Sequence, residues 1–382
     1  MGERALRVIH FVPYYPPERI GGVGEFAAAL HAGLRTRGVD STVVTRGRRA
    51  TANGVHRIAA SRLGWFFGTL AWTRRAAACD VVHCQSGEAL PLLVALRCWP
   101  GRHARILTTF HVDSRRMAAA EAPYRLEGER FGQAPSLTGR VASVLQRVVD
   151  ACGLALADAV NTVARATAVD LLGAIDGAAT HVIHNGVAPP DTAGTEAEPV
   201  ALFYAGLASH RKRVLALPFV LARVRRNHPD ARLRIAGFGR GASPQLDALF
   251  ERLGVADAVE YLGPQASSTL PAQYRAARVA LVPSAYEGLP YAILEALREG
   301  TPVVATPVGG HAEILRDGEN GFLVPLDDPE AMAARCNQLL DDPALAERMS
   351  QAARETLARE FRLADQIDAY LDYYRSLARG AS

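Results

Sequence analysis

Lysine is almost absent from this chain of 382 residues, because 42 of its 43 basic residues are arginine and only Lys212 is lysine. Cysteine is also scarce: the five cysteines are odd in number and form no Cys-x-x-Cys pair. That pattern argues against a disulfide framework and against a structural zinc site. No apolar run reaches the roughly 20 residues that span a bilayer, and the N-terminus lacks the pattern of a signal peptide. We therefore expect a cytoplasmic protein.

The composition and the charge distribution narrow the class of protein further. Hydrophobic residues make up 49% and charged residues 21%, which excludes disorder over most of the chain. The length predicts two domains, with three as the alternative, each with its own core. The net charge of +4 conceals a basic first half, since residues 1–186 sum to +8 and residues 187–382 to −4. A basic half would suit an anionic surface such as a membrane, a polyanionic acceptor or nucleic acid, but its arginines are dispersed, which favours solvated surface charge, and we expect no nucleic-acid partner.

Short apolar segments alternate with stretches of helical periodicity along most of the chain. This alternation is typical of parallel βα units and predicts two doubly wound sheets, an α/β fold with two Rossmann-like domains that face each other across a cleft. Ligands of such sheets bind beyond the carboxyl ends of the strands. The apolar segments are residues 5–12, 41–45, 80–84 and 104–110, then 200–206, 231–237, 258–263, 279–284 and 301–306.

The predicted boundary between the domains is a segment rich in proline, glycine and acidic residues at 188–199. We place an N-terminal Rossmann-like domain at residues 1–187 and a C-terminal Rossmann-like domain at residues 200–360. Residues 361–382 form a final helix with one apolar face, which we expect to pack back toward the N-terminal domain.

Residues 284–300, SAYEGLPYAILEALREG, carry the most chemistry of any segment. Glu287 is predicted in a loop at the end of a strand, and Glu295 follows after seven residues on a helix that Pro290 helps to begin. Both carboxylates would then line one site, and the free N–H groups at the start of the helix, such as that of Tyr291, would suit phosphate oxygens. For a pair of glutamates without this context, two solvated side chains would be the better interpretation.

The order of motifs resembles the retaining glycosyltransferases of family 4, which have the GT-B fold. The hallmark of that family is Glu-x7-Glu in the form Glu-Gly-[Phe/Leu]-x5-Glu, which residues 287–295 match. The resemblance covers nearly the whole chain. The other matching motifs are GGVGEF at 21–26, TFH at 109–111, HNGV at 184–187, the loop from Gly206 to Lys212, AGFG at 236–239 and residues 301–325.

The resemblance implies transfer of a sugar from a nucleoside diphosphate sugar with retention of anomeric configuration and without a required metal or other cofactor. The chain also lacks an Asp-x-Asp metal motif. By resemblance, Glu295 contacts the donor ribose and Glu287 the sugar near its anomeric carbon. The implied catalytic residues are His111, Glu287 and Lys212, and the implied donor-binding residues are Gly22, Gly24, Arg211, Lys212, Gly237, Gly239, Gly288, Leu289, Tyr291 and Glu295.

Lys212 is the compact cation expected to reach a donor phosphate, and an exposed surface lysine is the alternative. The family typically has Gly-Arg-Leu at the start of this loop, where this chain has Gly206-Leu207-Ala208. We expect Arg211 to replace the absent arginine. Support of the leaving β-phosphate by such cations lowers the barrier electrostatically.

The glycine loop at 21–26 also allows a dinucleotide-binding interpretation, because Gly22-x-Gly24-x-x-Ala27 fits part of that fingerprint. The fingerprint needs its first glycine directly after the first strand, however, and residues 13–21 intervene here. The next strand ends at Thr45-Arg46 without an acidic ribose ligand. A dehydrogenase is therefore disfavoured.

His111 follows the strand at 104–110, so it is predicted at a carboxyl end and facing the site, although a lone histidine is often structural. His184, Asn185 and the segment 311–315 are predicted to shape or pack their domains. The aromatic and basic segment 62–75 fits either a peripheral contact with an anionic membrane or a helix buried against the first sheet.

The Glu-Gly-Leu-Pro sequence is similar to that of polysaccharide-assembly members that use UDP-sugars, which favours UDP over GDP. The activity expected is a hexosyl or N-acetylhexosaminyl transfer to a glycan or lipid-linked saccharide of the cell envelope. No nucleophile is evident beneath the sugar, which favours front-face attack. Two alternatives remain: a GT-B epimerase that needs no acceptor, and a non-catalytic nucleotide-sugar-binding protein.

Overall fold

A computed structural model of the protein describes residues 4–17, 21–48, 53–59, 61–132, 134–173, 180–190 and 196–380. Within these ranges the strands and helices are numbered along the chain. The strands are β1 (Arg7–Val12), β2 (Asp40–Arg46), β3 (Val55–Ala59), β4 (Val81–Gln85), β5 (Arg105–Phe110), β6 (Tyr124–Leu126), β7 (Glu129–Phe131), β8 (Ala159–Thr162), β9 (Thr180–Val182), β10 (Val200–Ala205), β11 (Leu233–Ala236), β12 (Val259–Gly263), β13 (Ala277–Val282), β14 (Val303–Ala305) and β15 (Phe322–Leu323).

Helices connect most of these strands. They are α1 (Gly22–Thr36), α2 (Arg62–Gly68), α3 (Thr73–Ala77), α4 (Leu90–Arg97), α5 (Ser114–Ala120), α6 (Leu137–Leu156), α7 (Arg165–Leu172), α8 (Leu217–Asn227), α9 (Pro244–Arg252), α10 (Leu270–Ala276), α11 (Tyr291–Glu299), α12 (His311–Ile314), α13 (Pro329–Asp341), α14 (Pro343–Glu360) and α15 (Leu363–Arg379).

The chain forms two compact units, and each contains one parallel sheet. The first unit has the strand order β3-β2-β1-β4-β5-β8-β9, and the second has β12-β11-β10-β13-β14-β15. Every neighbouring pair in both sheets is parallel. Strands that alternate with helices along the chain can pair in this way only through crossovers, which put helices on the faces of the sheet. The predicted pair of doubly wound α/β domains is confirmed.

The second unit includes a segment from the first half of the chain, residues 116–136. Its strands β6 and β7 form an antiparallel hairpin with Tyr124 opposite Phe131. The Arg213 guanidinium lies 3.6 Å from the centre of the Tyr124 ring and donates to the carbonyl of Ala120 over 2.9 Å. Burial of the tyrosine together with this cation–π contact holds the hairpin in the second unit. The sequence analysis assigned the segment to the first domain, and here the structure differs from that assignment.

The first unit includes the last helix of the chain, α15. It packs against α1 so closely that a Cβ added to Gly33 would lie 2.1 Å from Cδ1 of Ile367. Gln366 accepts a hydrogen bond from the Gly186 N–H over 2.7 Å. The predicted apolar face of this helix is thus buried in the same unit as the N-terminal strands. Of the predicted linker 188–199, residues 191–195 lie outside the described residues.

The aromatic segment 62–75 folds into α2, a 3-10 turn at Thr69–Trp72 and α3. Trp65 and Trp72 are buried in the core of the first unit, at 2% and 7% exposure. The two tryptophans therefore cannot anchor this segment at a membrane, which corrects that part of the interpretation, while Leu63 and Phe67 remain exposed. No helix among the described residues is long and apolar enough to cross a bilayer.

Candidate active site

The loop after β10 carries Arg211 and Lys212 side by side. β10 pairs with β13, and because parallel strands end at one edge of a sheet, the loops that follow these two strands are neighbours. The N–H of Ala285, in the loop after β13, donates to the carbonyl oxygen of Arg211 over 2.7 Å. Within the first loop, the Lys212 N–H donates to the Ser209 carbonyl over 3.2 Å. These bonds fix both cations beside the loop that contains Glu287.

Glu287 is the centre of a buried ionic cluster. Its Oε1 lies 2.6 Å from Nζ of Lys212 and accepts from the hydroxyl of Ser284 over 2.9 Å. Its Oε2 accepts from Nη1 of Arg211 over 2.9 Å. Burial alone would raise the pKa of Glu287, but the charges of Lys212 and Arg211 outweigh burial and lower that pKa to about 2. Glu287 is therefore a carboxylate at any pH near neutrality, with both oxygens engaged.

His311 borders this cluster, and the sequence analysis missed it by assigning 311–315 to packing. The ring is fully buried, and its Nδ1 lies 2.6 Å from the carbonyl oxygen of Thr306. A carbonyl only accepts, so Nδ1 carries the proton and Nε2 is the acceptor nitrogen. Burial lowers the pKa of His311 to about 4, although the charge of Glu287 works in the opposite direction.

The acceptor nitrogen of His311 has no hydrogen-bond partner in the structure, although it is buried. A buried acceptor without a hydrogen-bond partner raises the free energy of the folded protein, and a hydroxyl group of a ligand that donates to it would remove this penalty. No local sequence signal marks this nitrogen, because its place beside Glu287 depends on the loop between β14 and α12. The histidine therefore joins the candidate site on geometry alone.

Two consecutive glycines, Gly309 and Gly310, pack against the backbone of the loop that contains Glu287. The Gly310 N–H donates to the carbonyl of Gly288 over 2.7 Å. Gly309 has φ +51°, and a Cβ at this position would lie 1.8 Å from the carbonyl oxygen of Glu287. Only a glycine allows this close approach of the two backbones. Gly288, one of the predicted donor-binding residues, is thus fixed next to the carboxylate.

Helix α11 begins directly after this loop, with Pro290 as its N-cap. Its first helical hydrogen bond is donated by Leu294 to the Pro290 carbonyl over 3.4 Å. The N–H groups of Ala292 and Ile293 therefore have no acceptor within the helix. They lie at the positive end of the helix dipole, which suits an anion.

The remaining predicted residues of this segment differ in exposure. Leu289 is 4% exposed and packs in the core, whereas Tyr291 and Glu295 are half-buried. Burial, together with the nearby negative charge of Glu295, raises the pKa of Tyr274 well above its usual value. Glu295 thus lies one turn into α11, within electrostatic reach of the buried phenol of Tyr274.

Gly237 and Gly239 follow β11, and the structure gives them different roles. Gly237 has φ +109°, and a Cβ there would lie 2.1 Å from the carbonyl oxygen of Gly206. Gly237 therefore allows the ends of β10 and β11 to approach closely, which shapes the loop that leads to Lys212. A Cβ on Gly239 would meet nothing within 4 Å, so this position is open.

In the first unit, Gly22 and Gly24 lie in the first turn of α1 and not in a loop, which corrects the predicted glycine loop. Gly21 is the N-cap, and its carbonyl accepts from the Glu25 N–H over 3.0 Å. The N–H groups of residues 22–24 precede that first helical bond and have no acceptor within the helix. Gly24 is buried and Gly22 is exposed.

His111 follows β5, as predicted, and is held by neighbours in the first unit. Its Nε2 donates to Oε1 of Gln85 over 2.7 Å, which leaves Nδ1 as the acceptor nitrogen. The Phe26 ring packs edge-on against the imidazole at 4.8 Å. Burial lowers the pKa of His111 to about 4. The side chain is therefore a neutral, oriented imidazole.

A buried polar network continues inward from Gln85. Its Nε2 lies 3.2 Å from Nε2 of His83, and Nδ1 of His83 lies 2.6 Å from the hydroxyl of Tyr374 on α15. Burial lowers the pKa of His83 well below its usual value. The last helix of the chain thus supports the side chain that orients His111, a connection that sequence reasoning missed.

Direct contact in the structure joins Arg211, Lys212 and Glu287. His111, Gly22 and Gly24 belong to the first unit, and their predicted roles stay predictions. Among the described residues, no group of three or more His, Cys, Asp or Glu side chains is placed to hold a metal ion. The expectation that no metal is required likewise stays a prediction.

Both halves of the chain match models of known protein families. Residues 20–191 match the model of Glycosyltransferase Family 4, and residues 191–356 match the model of Glycosyl transferases group 1. The two matches meet within the predicted linker. Glycogen synthase from Mycobacterium tuberculosis is 33% identical over 182 residues, which is 48% of this chain and 44% of that protein. The chain thus spans less than half the length of the curated relatives it matches.

Solved structures share the fold over nearly the entire chain. Sucrose-phosphate synthase from Thermosynechococcus elongatus has a TM-score of 0.81 at 20% identity and covers 99% of this chain and 100% of its own. Anabaena HepE in complex with UDP-glucose has a TM-score of 0.76 at 18% identity, with 97% and 100% covered. With two consecutive family matches and this fold, the chain belongs to the family 4 glycosyltransferases, of GT-B fold.

Proposed function

We propose that the protein is a retaining glycosyltransferase that moves a hexosyl or N-acetylhexosaminyl group from a UDP-sugar to a glycan or lipid-linked saccharide. The observation that carries the proposal is the buried cluster of Lys212, Arg211 and Glu287 at the carboxyl ends of β10 and β13. Both cations share the buried carboxylate of Glu287, and Arg211 also lies 3.9 Å from the more exposed Glu121, so the positive charge left for a diphosphate is chiefly that of Lys212. The N-terminus of α11 follows directly and adds N–H donors.

In this proposal, Lys212 supports the developing charge on the leaving β-phosphate. The Nζ of Lys212 has three protons, and its contact with Glu287 uses only some of that donor capacity. The charged side chains of this cluster are already in place, so they need not rearrange when the leaving group departs. Arg211 holds the second oxygen of Glu287, and so it acts on the donor chiefly by fixing that carboxylate.

Glu287 is proposed to stabilise charge near the anomeric carbon without attacking it. Both of its oxygens already accept strong hydrogen bonds, and its pKa of about 2 marks a weakly basic carboxylate. Such a group is a poor nucleophile, which favours front-face attack through an oxocarbenium-like state. The acceptor Nε2 of His311 would take a hydrogen bond from a hydroxyl of the donor.

This mechanism predicts that a slow fluorinated UDP-sugar leaves no covalent adduct on the protein. Intact-mass measurement after incubation with the donor, followed by peptide mapping, checks it. A sugar attached to Glu287 would overturn front-face attack and establish a double displacement instead. Serum albumin incubated in parallel reports any non-specific labelling.

UDP is proposed as the nucleotide because the Glu-Gly-Leu-Pro sequence resembles members that use UDP-sugars. The HepE structure of the same fold holds UDP-glucose, which supports the same choice.

Calorimetric titration with UDP, GDP and ADP tests the proposed function. We expect micromolar binding of UDP, weaker binding of the others, and a loss of at least tenfold in UDP affinity for Glu295→Ala, because its carboxylate would no longer hold the ribose hydroxyls. Glu355→Ala, an exposed change on α14, is the control and should bind UDP as the wild type does. If none of the three nucleotides binds, the proposed function fails and only the family fold remains.

A further inference from the structure

Both chain neighbours of Lys212 are bound by a segment from far earlier in the sequence. This segment is the hairpin of β6 and β7 with the residues that lead into it, 120–131, and we call it the clamp hairpin. Glu121 accepts a hydrogen bond from the N–H of Arg211 over 3.2 Å, and its other carboxylate oxygen lies 3.9 Å from Nε of that arginine. On the other side of the lysine, Arg213 donates to a carbonyl of the same segment. The backbone on each side of Lys212 thus depends on the clamp hairpin.

Arg213 has a left-handed backbone, with φ +51° and ψ +36°. An arginine rarely adopts this conformation, because its Cβ crowds the following carbonyl oxygen. The Arg213 N–H donates to the His210 carbonyl over 3.0 Å, and the Lys212 N–H donates to the Ser209 carbonyl over 3.2 Å, which closes a turn over residues 209–213. The direction in which the Lys212 side chain leaves this turn therefore depends on the left-handed conformation of Arg213.

The side chain of Arg213 fixes this conformation, because it is buried and bonded to three other segments of the second unit. It is 6% exposed. Its Nη1 donates to the carbonyl oxygens of Ala120 over 2.9 Å and His210 over 2.7 Å, and its Nε donates to Oδ1 of Asp327 over 2.8 Å. The centre of the Tyr124 ring lies 3.6 Å from the guanidinium. A strained backbone persists only where its surroundings hold it, and these contacts hold Arg213.

The clamp hairpin is itself fixed in the core of the second unit. Leu126 and Phe131 are each 2% exposed and belong to the same apolar cluster as the strands of the second sheet. At the outer end of the hairpin, Glu129 accepts from Arg252 on α9 over 2.7 and 3.0 Å. Both members of that pair are about half-exposed, so the pair adds little stability. Burial of the two apolar side chains therefore makes the hairpin a firm support for the turn.

We propose that the clamp hairpin is a positioning element of the donor site, which sets the ammonium of Lys212 against Glu287 by way of Arg213. The inference rests on the proposed function, in which that ammonium supports the leaving β-phosphate. If Arg213 loses its contacts, its backbone relaxes to negative φ and the peptide that joins it to Lys212 rotates. A displacement of about 1 Å in a catalytic group is enough to lower a rate by about 10²-fold. Arg213 and Tyr124 are thus positioning residues, which act through the lysine.

Two substitutions of Arg213 separate a positioning role from a purely structural one. Arg213→Ala and Arg213→Gly remove the same contacts, but only glycine adopts φ +51° without strain. We expect kcat for sugar transfer to fall by about tenfold or more in Arg213→Ala, and to be about threefold higher in Arg213→Gly than in Arg213→Ala. Calorimetry should give one bound UDP per protein for both variants. A purely structural role predicts the opposite order, because glycine loses more conformational freedom on folding.

Chemical labelling of the Lys212 amine reports the position of this side chain without any need for activity, because it is the only lysine in the chain. The probe is an N-hydroxysuccinimide ester, and peptide mapping by mass separates Lys212 from the N-terminal amine. In the wild type the lysine is 15% exposed and paired with Glu287, so labelling should be slow. Loss of the carboxylate partner increases the fraction of free amine, so the labelling rate should rise about tenfold in Arg213→Ala and clearly less in Arg213→Gly.

Tyr124→Phe and Glu129→Gln are the matched controls. The buried hydroxyl of Tyr124 has no hydrogen-bond partner in the structure, so Tyr124→Phe keeps the ring against Arg213 and loses no bond. Glu129→Gln breaks the outer ion pair of the clamp hairpin without touching the turn. Both variants should keep the wild-type kcat and the wild-type labelling rate.

Glu121→Ala tests the other contact of the clamp hairpin, and it covers the case in which a variant of Arg213 does not fold. Glu121 is 41% exposed, so its truncation is tolerated, and we expect kcat to fall and labelling of Lys212 to rise by about threefold. Glu121→Gln keeps an acceptor for the Arg211 N–H and should behave as the wild type.

The proposal is overturned if Arg213→Ala matches the wild type in kcat and in labelling rate, or if Arg213→Gly is no better than Arg213→Ala. Unchanged labelling and kcat in Glu121→Ala would also overturn it. A wild-type protein that binds none of the three nucleotides would refute the proposed function instead. The labelling rates would then still show whether the clamp hairpin positions Lys212.

Discussion

Replacing Lys212 by alanine is expected to lower sugar transfer by about 10²- to 10³-fold, with the larger part of the loss in kcat. The ammonium lies 2.6 Å from Glu287 in a buried cluster, where its charge is weakly screened. Its support of the leaving phosphate grows as the bond to the sugar breaks. Removing the ammonium therefore destabilises the transition state more than it destabilises the bound donor. Steady-state kinetics with the UDP-sugar identified by titration measure the effect.

Two further variants show whether the charge and the position of Lys212 cause this loss of activity. Lys212→Arg keeps the charge but replaces a compact ammonium by a planar group, so we expect partial activity. Arg226→Ala removes an exposed cation from α8 and should leave the rate unchanged. If Lys212→Ala transfers sugar at the wild-type rate, the lysine only pairs with Glu287 and the proposed mechanism is wrong.

The same variant should also change the response of the protein to acid. The folded pKa of Glu287 is about 2, below its usual value of 4.5, so its contribution to stability is complete above about pH 4.5 and is lost as the pH falls toward 2. Without Lys212, burial is opposed chiefly by Arg211, so this pKa moves up toward 4.5 and the stability lost between about pH 4.5 and pH 2 should be smaller than in the wild type. Urea unfolding of the wild type and Lys212→Ala between pH 7 and pH 3 compares the two.

The parallel sheets were predictable because their signal is local. Segments such as 200–206 and 279–284 are short, apolar and followed by helical stretches. Few folds other than a parallel α/β sheet fit that pattern. The hairpin of β6 and β7 was not predictable in the same way. Its strands have three residues each, and what holds it is Arg213, far along the chain, against Tyr124.

The candidate site shows the same division between local and distant signals. The spacing of Glu287 and Glu295 and the rarity of lysine identified the cluster around Lys212 from sequence. The buried network behind His111 gave no such signal, because His83 sits in an apolar strand and its partner Tyr374 is 291 residues away. Sequence spacing reports residues that share an element, whereas pairs like these depend on the finished fold.

Gly309 exemplifies a residue whose importance appears only in the structure. A methyl group there would lie 1.8 Å from the Glu287 carbonyl oxygen, a distance that no relaxed contact allows, and the backbone already has φ +51°. We expect Gly309→Ala to cost about 3 kcal/mol of unfolding free energy, from strain and displacement of the Glu287 loop. Sugar transfer should fall by at least 100-fold, because the carboxylate would move away from Lys212. Urea unfolding and steady-state kinetics measure both losses.

Gly239→Ala is the matched control, since the same methyl group at that position meets nothing within 4 Å. It should keep the wild-type unfolding free energy within about 0.5 kcal/mol. If Gly239 approaches the diphosphate through its backbone, this variant will nevertheless bind UDP more weakly, which separates a role in donor binding from a role in folding. If Gly309→Ala is as stable as the wild type, the loop that contains Glu287 can shift to accept the methyl group without loss of unfolding free energy. The close fit of the two loops would then not be what holds Glu287 against its two cations.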